Sequence, residues 1–142
     1  RAEAWVQEAV AAGARVLCGG KREKAWYEPT IMTQVEPEMK VVCQETFAPL
    51  VSIIPYDTLD EAVRQVNDSV YGLQAGVFTK SIEVANYCIE TLHVGGVIIN
   101  DGATFRTDNM PYGGVKESGI GREGPQYAVR EMTEEKLVVF NM

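Results

Sequence analysis

The sequence predicts an α/β fold: an open parallel sheet of βαβ units with covering helices, plus a terminal strand. Three observations carry this. Leu50–Tyr56, Ala75–Thr79 and Val94–Asn100 are mostly apolar runs of strand length. The two segments between them have helical periodicity, and each opens on a hydroxyl residue suited to capping. The links are short, so the order is strand–helix–strand–helix–strand. Two consecutive βαβ units of this kind make right-handed crossovers and a parallel sheet.

Taken in order, residues 2–12 suit a helix, with Gly13 as its stop. The chain opens on Arg1 in what reads as mid-helix, as a piece of a longer protein would. Ala14–Cys18 reads as a strand closed by Gly19 and Gly20, and Tyr27–Met32 as a short strand interrupted by Pro29. Residues 33–49 have no clear period. Thr58-x-x-Glu61 is a capping box opening a helix with Leu59, Ala62, Val63 and Val66 on one face, and Tyr71-Gly72 breaks it. Ser81 caps the next helix, with Ile82, Ala85, Ile89 and Leu92 expected to face inward. Pro125 suits the first position of a helix running to about Met132. Lys136–Phe140 reads as a terminal strand.

At 142 residues, 46% hydrophobic and 23% charged, the chain suits one soluble domain. Thirteen Lys and Arg against 20 Asp and Glu give a net charge of −7, which argues against a nucleic-acid surface. No apolar run reaches membrane-spanning length, and no signal-peptide pattern opens the chain. Cys18, Cys43 and Cys88, with the single His93, form neither a disulfide framework nor a metal site. They read as buried free thiols in a reducing cytoplasm. His93 reads as structural.

Pro111–Gly124, PYGGVKESGIGREG, places five glycines among Lys116, Glu117, Arg122 and Glu123. Glycine is the most costly residue to order, so such a run excludes a helix or strand and implies close backbone approach or positive φ. It reads as an ordered loop in which Lys116, Arg122 and Glu123 make pinning ion pairs. Ligands in open α/β sheets sit beyond the carboxyl ends of the strands, so residues 101–114, leaving strand 94–100, are expected on that rim. The GxGxxG and GxxxxGK[ST] fingerprints are absent. A second unusual stretch, VCQETFAPL at Val42–Leu50, sets Glu45, Phe47 and Pro49 on alternating positions.

Together these stretches resemble the NAD(P)-dependent aldehyde dehydrogenase superfamily. PYGGVKESGIGREG is similar to its PFGGxKxSGxGRE loop and QETFAPL to its E-x-F-G-P motif. YGLQAGVFT and VGGVIIND match its strand segments in type and order. The resemblance covers essentially the whole chain and is nearest to lactaldehyde, phosphonoacetaldehyde and non-phosphorylating glyceraldehyde-3-phosphate dehydrogenases.

The resemblance implies the carboxyl-terminal part of such an enzyme. Residues 1–134 would be the latter part of the catalytic domain, and residues 135–142 an oligomerisation strand docking on a neighbouring subunit of a dimer or tetramer. The parent enzyme would oxidise an aldehyde to an acid through a cysteine thioester, using NAD or NADP, in the cytoplasm. The nucleophile and general base would lie outside this chain, so no catalytic residue and no metal ligand is assigned here. Glu45 matches the acid that accepts the nicotinamide-ribose hydroxyls, and Phe47 the aromatic beside the nicotinamide. Ala48 replaces the usual glycine. Tyr112 takes the place of the tunnel phenylalanine. Arg106, in TFRTDNMPYGG, has two readings: a fork for an anionic group on the aldehyde substrate, or a surface pair with Asp108 or Asp101. Two alternatives stand beside the enzyme reading: a non-catalytic α/β binding or assembly module derived from that fold, and an enzyme acting on an acyl-CoA-linked aldehyde.

Overall fold

The helix over residues 2–12 forms as α1, Ala2–Ala11, in the computed structural model, which describes all 142 residues. The chain folds as two units, Arg1–Asp57 and Thr58–Met142.

In the first unit, Gly13 at φ +108° turns the chain from α1 into β1, Arg15–Cys18. The hairpin of β2 (Arg22–Glu23) and β3 (Trp26–Tyr27) follows. Pro29 splits the expected Tyr27–Met32 strand, so β3 stops at Tyr27 and β4 runs Thr30–Thr33. The aperiodic stretch holds one short helix, α2, Lys40–Cys43. β5, Leu50–Ile53, pairs in parallel with β4, and β4 pairs antiparallel with β1. The core beneath joins Val6 and Ala9 of α1 to Met32 of β4 and Val41 of α2, with Met32 wholly buried. Thr30 is buried beside it at no polar cost. Its hydroxyl donates to the Glu28 carbonyl at 2.7 Å and accepts the Gly20 N–H at 2.8 Å.

In the second unit, Thr58 caps α3, Leu59–Asp68, by accepting the Glu61 N–H at 3.2 Å. Ser81 caps α4, Ile82–Thr91, by accepting the Val84 N–H at 3.3 Å. Caps of this type are worth about 1 kcal/mol each. After β6 (Tyr71–Gly72), β7 (Gln74–Val77) and β8 (Gly96–Ile99) flank α4 and pair in parallel, which makes a βαβ unit. The Asn67 side chain ties the end of α3 to this crossover. It donates to the Thr91 carbonyl and accepts the His93 N–H, each at 2.8 Å. α5 runs Pro125–Met132 with Pro125 in its first turn.

Five expectations change. The three central strands do not form one continuous sheet: β5 closes a three-stranded sheet β1-β4-β5, and β7 and β8 form their own pair. The fold class stands, with parallel pairing inside each unit. The inward face of α4 is centred on Ala85 and Cys88, while Ile82 and Ile89 are exposed. At about 100° per residue, positions seven apart share a stripe, and theirs lies well around the helix from Cys88. Val66 of α3 is likewise exposed, and Val63 carries the contact. Of the three thiols only Cys88 is buried; Cys18 and Cys43 are exposed. Burial pushes the Cys88 thiol up from its ordinary pKa. Lys136–Phe140 forms no strand, and Leu137, Val138, Val139 and Phe140 are exposed. This segment pairs with none of the strands in the chain.

Candidate functional site

The glycine-rich segment is ordered by its own backbone. Two of its residues do form a strand, β9 (Val115–Lys116), which pairs antiparallel with β6, contrary to the expectation of no regular structure. Gly119, Gly121 and Gly124 have φ of +134°, +80° and +117°, the region that side chains avoid. Lys116 donates to the carbonyls of Asn67 and Ser69 at 2.8 and 2.9 Å. One Arg122 nitrogen, Nη1, donates to the Gly114 and Gly121 carbonyls at 2.9 and 2.7 Å. These two cations therefore pin the loop through carbonyls, not through the expected ion pairs. Of the three charged residues, only Glu123 makes an ion pair.

Residues 101–105 leave the carboxyl end of β8, as expected, but turn back along β7. Asn100, at φ +61°, closes the strand pair by accepting the Thr79 N–H at 2.8 Å. Gly76 permits the return, since a Cβ there would meet the Asp101 carbonyl at 2.6 Å. The Gln74 amide, at the amino end of β7, donates to the carbonyls of Ala103 and Phe105, both at 3.0 Å. Gly113 packs against Gly95, just before the amino end of β8. The segment near Tyr112 thus lies by the amino ends of β7 and β8, not on the carboxyl-end rim. Pairing of β9 with β6 draws it there.

Arg106 and Tyr112 are brought together. The guanidinium carbon lies 4.3 Å from the Tyr112 ring centroid, within cation–π range. Arg106 Nη2 donates to Glu123 Oε2 at 2.9 Å, so its ion-pair partner is neither Asp108 nor Asp101. Glu123 is placed by backbone: it faces Tyr112 in an isolated antiparallel bridge. The Tyr112 N–H donates to the Glu123 carbonyl at 3.1 Å and the reverse bond is 2.6 Å. Residues 112 and 123 lie nearly symmetrically about the hairpin turn. That symmetry is the signal that could have revealed Glu123, which sequence reasoning assigned only to pinning. Tyr112 is half-buried and lines a cavity of about 420 Å³ with Leu73, Ser118, Ile120, Ala128 and Met132 among its walls. Arg106 does not line it.

Glu45 and Phe47 lie in the first unit, on the turn between α2 and β5. Both are exposed, Phe47 by 83%. Phe47 has φ +47°, a left-handed conformation that costs a non-glycine residue about 1–2 kcal/mol. Ala48, which stands in place of the usual glycine, has no positive φ. Arg1 holds the turn by donating to the Thr46 carbonyl at 2.7 Å, and the Pro49 carbonyl accepts the Thr30 N–H at 2.8 Å. A carboxylate with two acceptor oxygens and an exposed ring face, two residues apart, fit a sugar diol and a flat heterocycle. No group of side chains is arranged to hold a metal ion, and no helix is long and apolar enough to cross a membrane.

Comparison with known proteins agrees with this architecture. The 3-sulfolactaldehyde dehydrogenase of Priestia aryabhattai is 54% identical over 142 residues, which is 100% of this chain and 30% of that protein. The lactaldehyde dehydrogenase of Methanococcus aeolicus is 44% identical over 99% of the chain and 30% of its own length. Among solved structures, aldehyde dehydrogenase 21 from Physcomitrella patens, in complex with the reaction product succinate, superposes with a TM-score of 0.92. It is 47% identical, over 94% of this chain and 28% of that one. The glyceraldehyde-3-phosphate dehydrogenase GapN from Methanocaldococcus jannaschii, complexed with NADP, gives 0.85 at 44% identity over 92% and 28%. The chain spans about 30% of the length of the curated relatives it matches. The profile described as the aldehyde dehydrogenase family matches residues 1–138, and the chain belongs to that family.

Proposed function

We propose that this chain is the carboxyl-terminal part of an NAD(P)-dependent aldehyde dehydrogenase whose nucleophilic cysteine and general base lie outside these residues, and whose substrate carries an anionic group. A bound nicotinamide would supply the hydride acceptor for the oxidation. Glu45 would accept the ribose hydroxyls and Phe47 would lie against the nicotinamide ring, both held by the turn before β5. Tyr112 would form part of the substrate wall, and Arg106 would meet the anionic end. Residues 136–140 would find their missing edge on a neighbouring subunit, and three unpaired thiols suit a cytoplasmic enzyme.

The observation that carries the substrate reading is the Arg106 guanidinium held over the Tyr112 ring, with its carbon 4.3 Å from the ring centroid, on an ordered loop. The relatives named for sulfolactaldehyde and glyceraldehyde-3-phosphate, and the neighbour holding succinate, support an anionic substrate class. The test compares succinic semialdehyde with butanal, a neutral aldehyde of the same carbon count, in the full-length enzyme. Arg106→Ala is expected to raise KM for succinic semialdehyde at least tenfold, about the worth of one charged hydrogen bond, and to leave butanal unchanged. Equal effects on both substrates would overturn the reading.

A further inference from the structure

We propose that Glu123 is a built-in counter-ion to Arg106, and that its charge limits how strongly the enzyme prefers anionic aldehydes. The proposal rests on the reading of Arg106 as the anion site and adds a specificity-determining residue to it. Glu123 meets Arg106 through a single contact, Nη2 to Oε2 at 2.9 Å, and the Arg106 Nε and Nη1 groups make no hydrogen bond. A guanidinium has five donors in a rigid fork, so one edge stays available for a second oxyanion while Glu123 remains in place. An incoming anion then meets a pair of zero net charge and not a full positive charge.

Glu123 is not needed to orient the fork. The Tyr112 ring at 4.3 Å supports the guanidinium independently. The ion pair is largely solvent-exposed, with side-chain exposures of 44% for Arg106 and 66% for Glu123, and such pairs hold a side chain only weakly. Nor does the loop need the carboxylate, because the Tyr112–Glu123 bridge is made by main-chain atoms. What Glu123 contributes that a neutral residue would not is a negative charge beside the edge of Arg106 that is left for the substrate. Two sequence-distant residues, 17 apart, are brought to this arrangement by the hairpin. An anionic substrate of higher charge loses more to that repulsion, so the carboxylate grades sulfonates and carboxylates against phosphates as well as against neutral aldehydes.

The test uses the full-length enzyme. Glu123→Gln keeps an oxygen that can accept from Nη2 and removes the charge. It is expected to lower KM for succinic semialdehyde about three- to tenfold, the scale of one screened charge at contact distance, and to change KM for butanal by less than about twofold. The gain should shrink with added salt. Glu117→Gln makes the same change in net charge on the same loop without a contact to Arg106, and is expected to change neither KM. If Glu123→Gln fails to fold, Glu123→Ala carries the same expectation. A raised or unchanged KM for succinic semialdehyde in the Glu123 variants, or an equal gain in Glu117→Gln, would overturn the counter-ion role. The two readings separate cleanly. Arg106→Ala abolishing the anionic preference while Glu123→Gln does nothing sinks this inference alone, whereas Arg106→Ala without effect sinks both.

Discussion

The carbonyl of Gly113 occupies the place where a Cβ on Gly95 would stand. This contact seats the glycine-rich loop against the start of β8, where the Gly95 N–H also donates to the Gly72 carbonyl at 3.0 Å. Gly95→Ala must push backbone against backbone, with no flexible side chain to yield. The expected loss is about 3 kcal/mol, at the upper end for overpacking a close contact. Gly102→Ala is the control. Its nearest neighbour is the Thr104 hydroxyl at 3.6 Å, an ordinary contact, so the expected change is within about 0.5 kcal/mol. Denaturant unfolding of the two variants checks this, and equal losses would mean that the Gly95–Gly113 contact does not hold the loop.

That contact also marks where sequence stops being informative. The caps at Thr58 and Ser81, the stop at Gly13 and the β7-α4-β8 unit were legible because each depends on neighbours in sequence or on a short period. The order of residues 111–124 was legible from glycine content alone. Strand partners were not: β5 pairs with β4 across a 16-residue link, a choice decided by core packing around Met32 and Val41. The course of residues 101–105 was hidden for the same reason, since it depends on Gln74 reaching two carbonyls some 30 residues away. The Arg106–Glu123 pair required knowing which loop residues face each other. On α4 the inward place of Ala85 was legible, but Ile82 and Ile89 outweigh Cys88 in hydrophobicity, and it is the smaller Cys88 that is buried.

A pH effect follows from α3 and α4. The Tyr87 hydroxyl donates to Asp60 Oδ1 at 2.5 Å, and that hydrogen bond, ahead of desolvation and the Asp60 charge, raises the Tyr87 pKa above its ordinary value. The protonated phenol is the form that the fold favours. Its contribution to stability is therefore complete below the unfolded tyrosine pKa of about 10 and is lost as pH rises through the folded value. Among the six tyrosines, Tyr87→Phe is expected to remove a late-ionising component from the alkaline absorbance titration at the phenolate band. It is also expected to flatten the fall in stability above that pH. A Tyr87→Phe titration that loses a component at the ordinary tyrosine position would contradict the assignment.

Phe47 separates stability from function. Its backbone is left-handed at φ +47° and its ring is 83% exposed, so the fold gains little from the side chain and bears strain at the residue. Strain of this kind on an exposed aromatic points to a ring held for a ligand. Phe47→Gly relieves the left-handed penalty and loses some of the gain to glycine's greater freedom when unfolded, leaving a net increase of up to about 1 kcal/mol. Phe47→Ala keeps the strain and removes the ring, so its stability should match or fall below that of the unaltered protein. In the full-length enzyme both variants are expected to lose kcat together and to weaken nicotinamide nucleotide binding. Thermal melting ranks the first effect and steady-state kinetics with varied nucleotide the second. Phe47→Gly melting below Phe47→Ala would show that the turn does not bear the strain, and unchanged nucleotide kinetics in both would overturn the proposed place of Phe47 beside the cofactor.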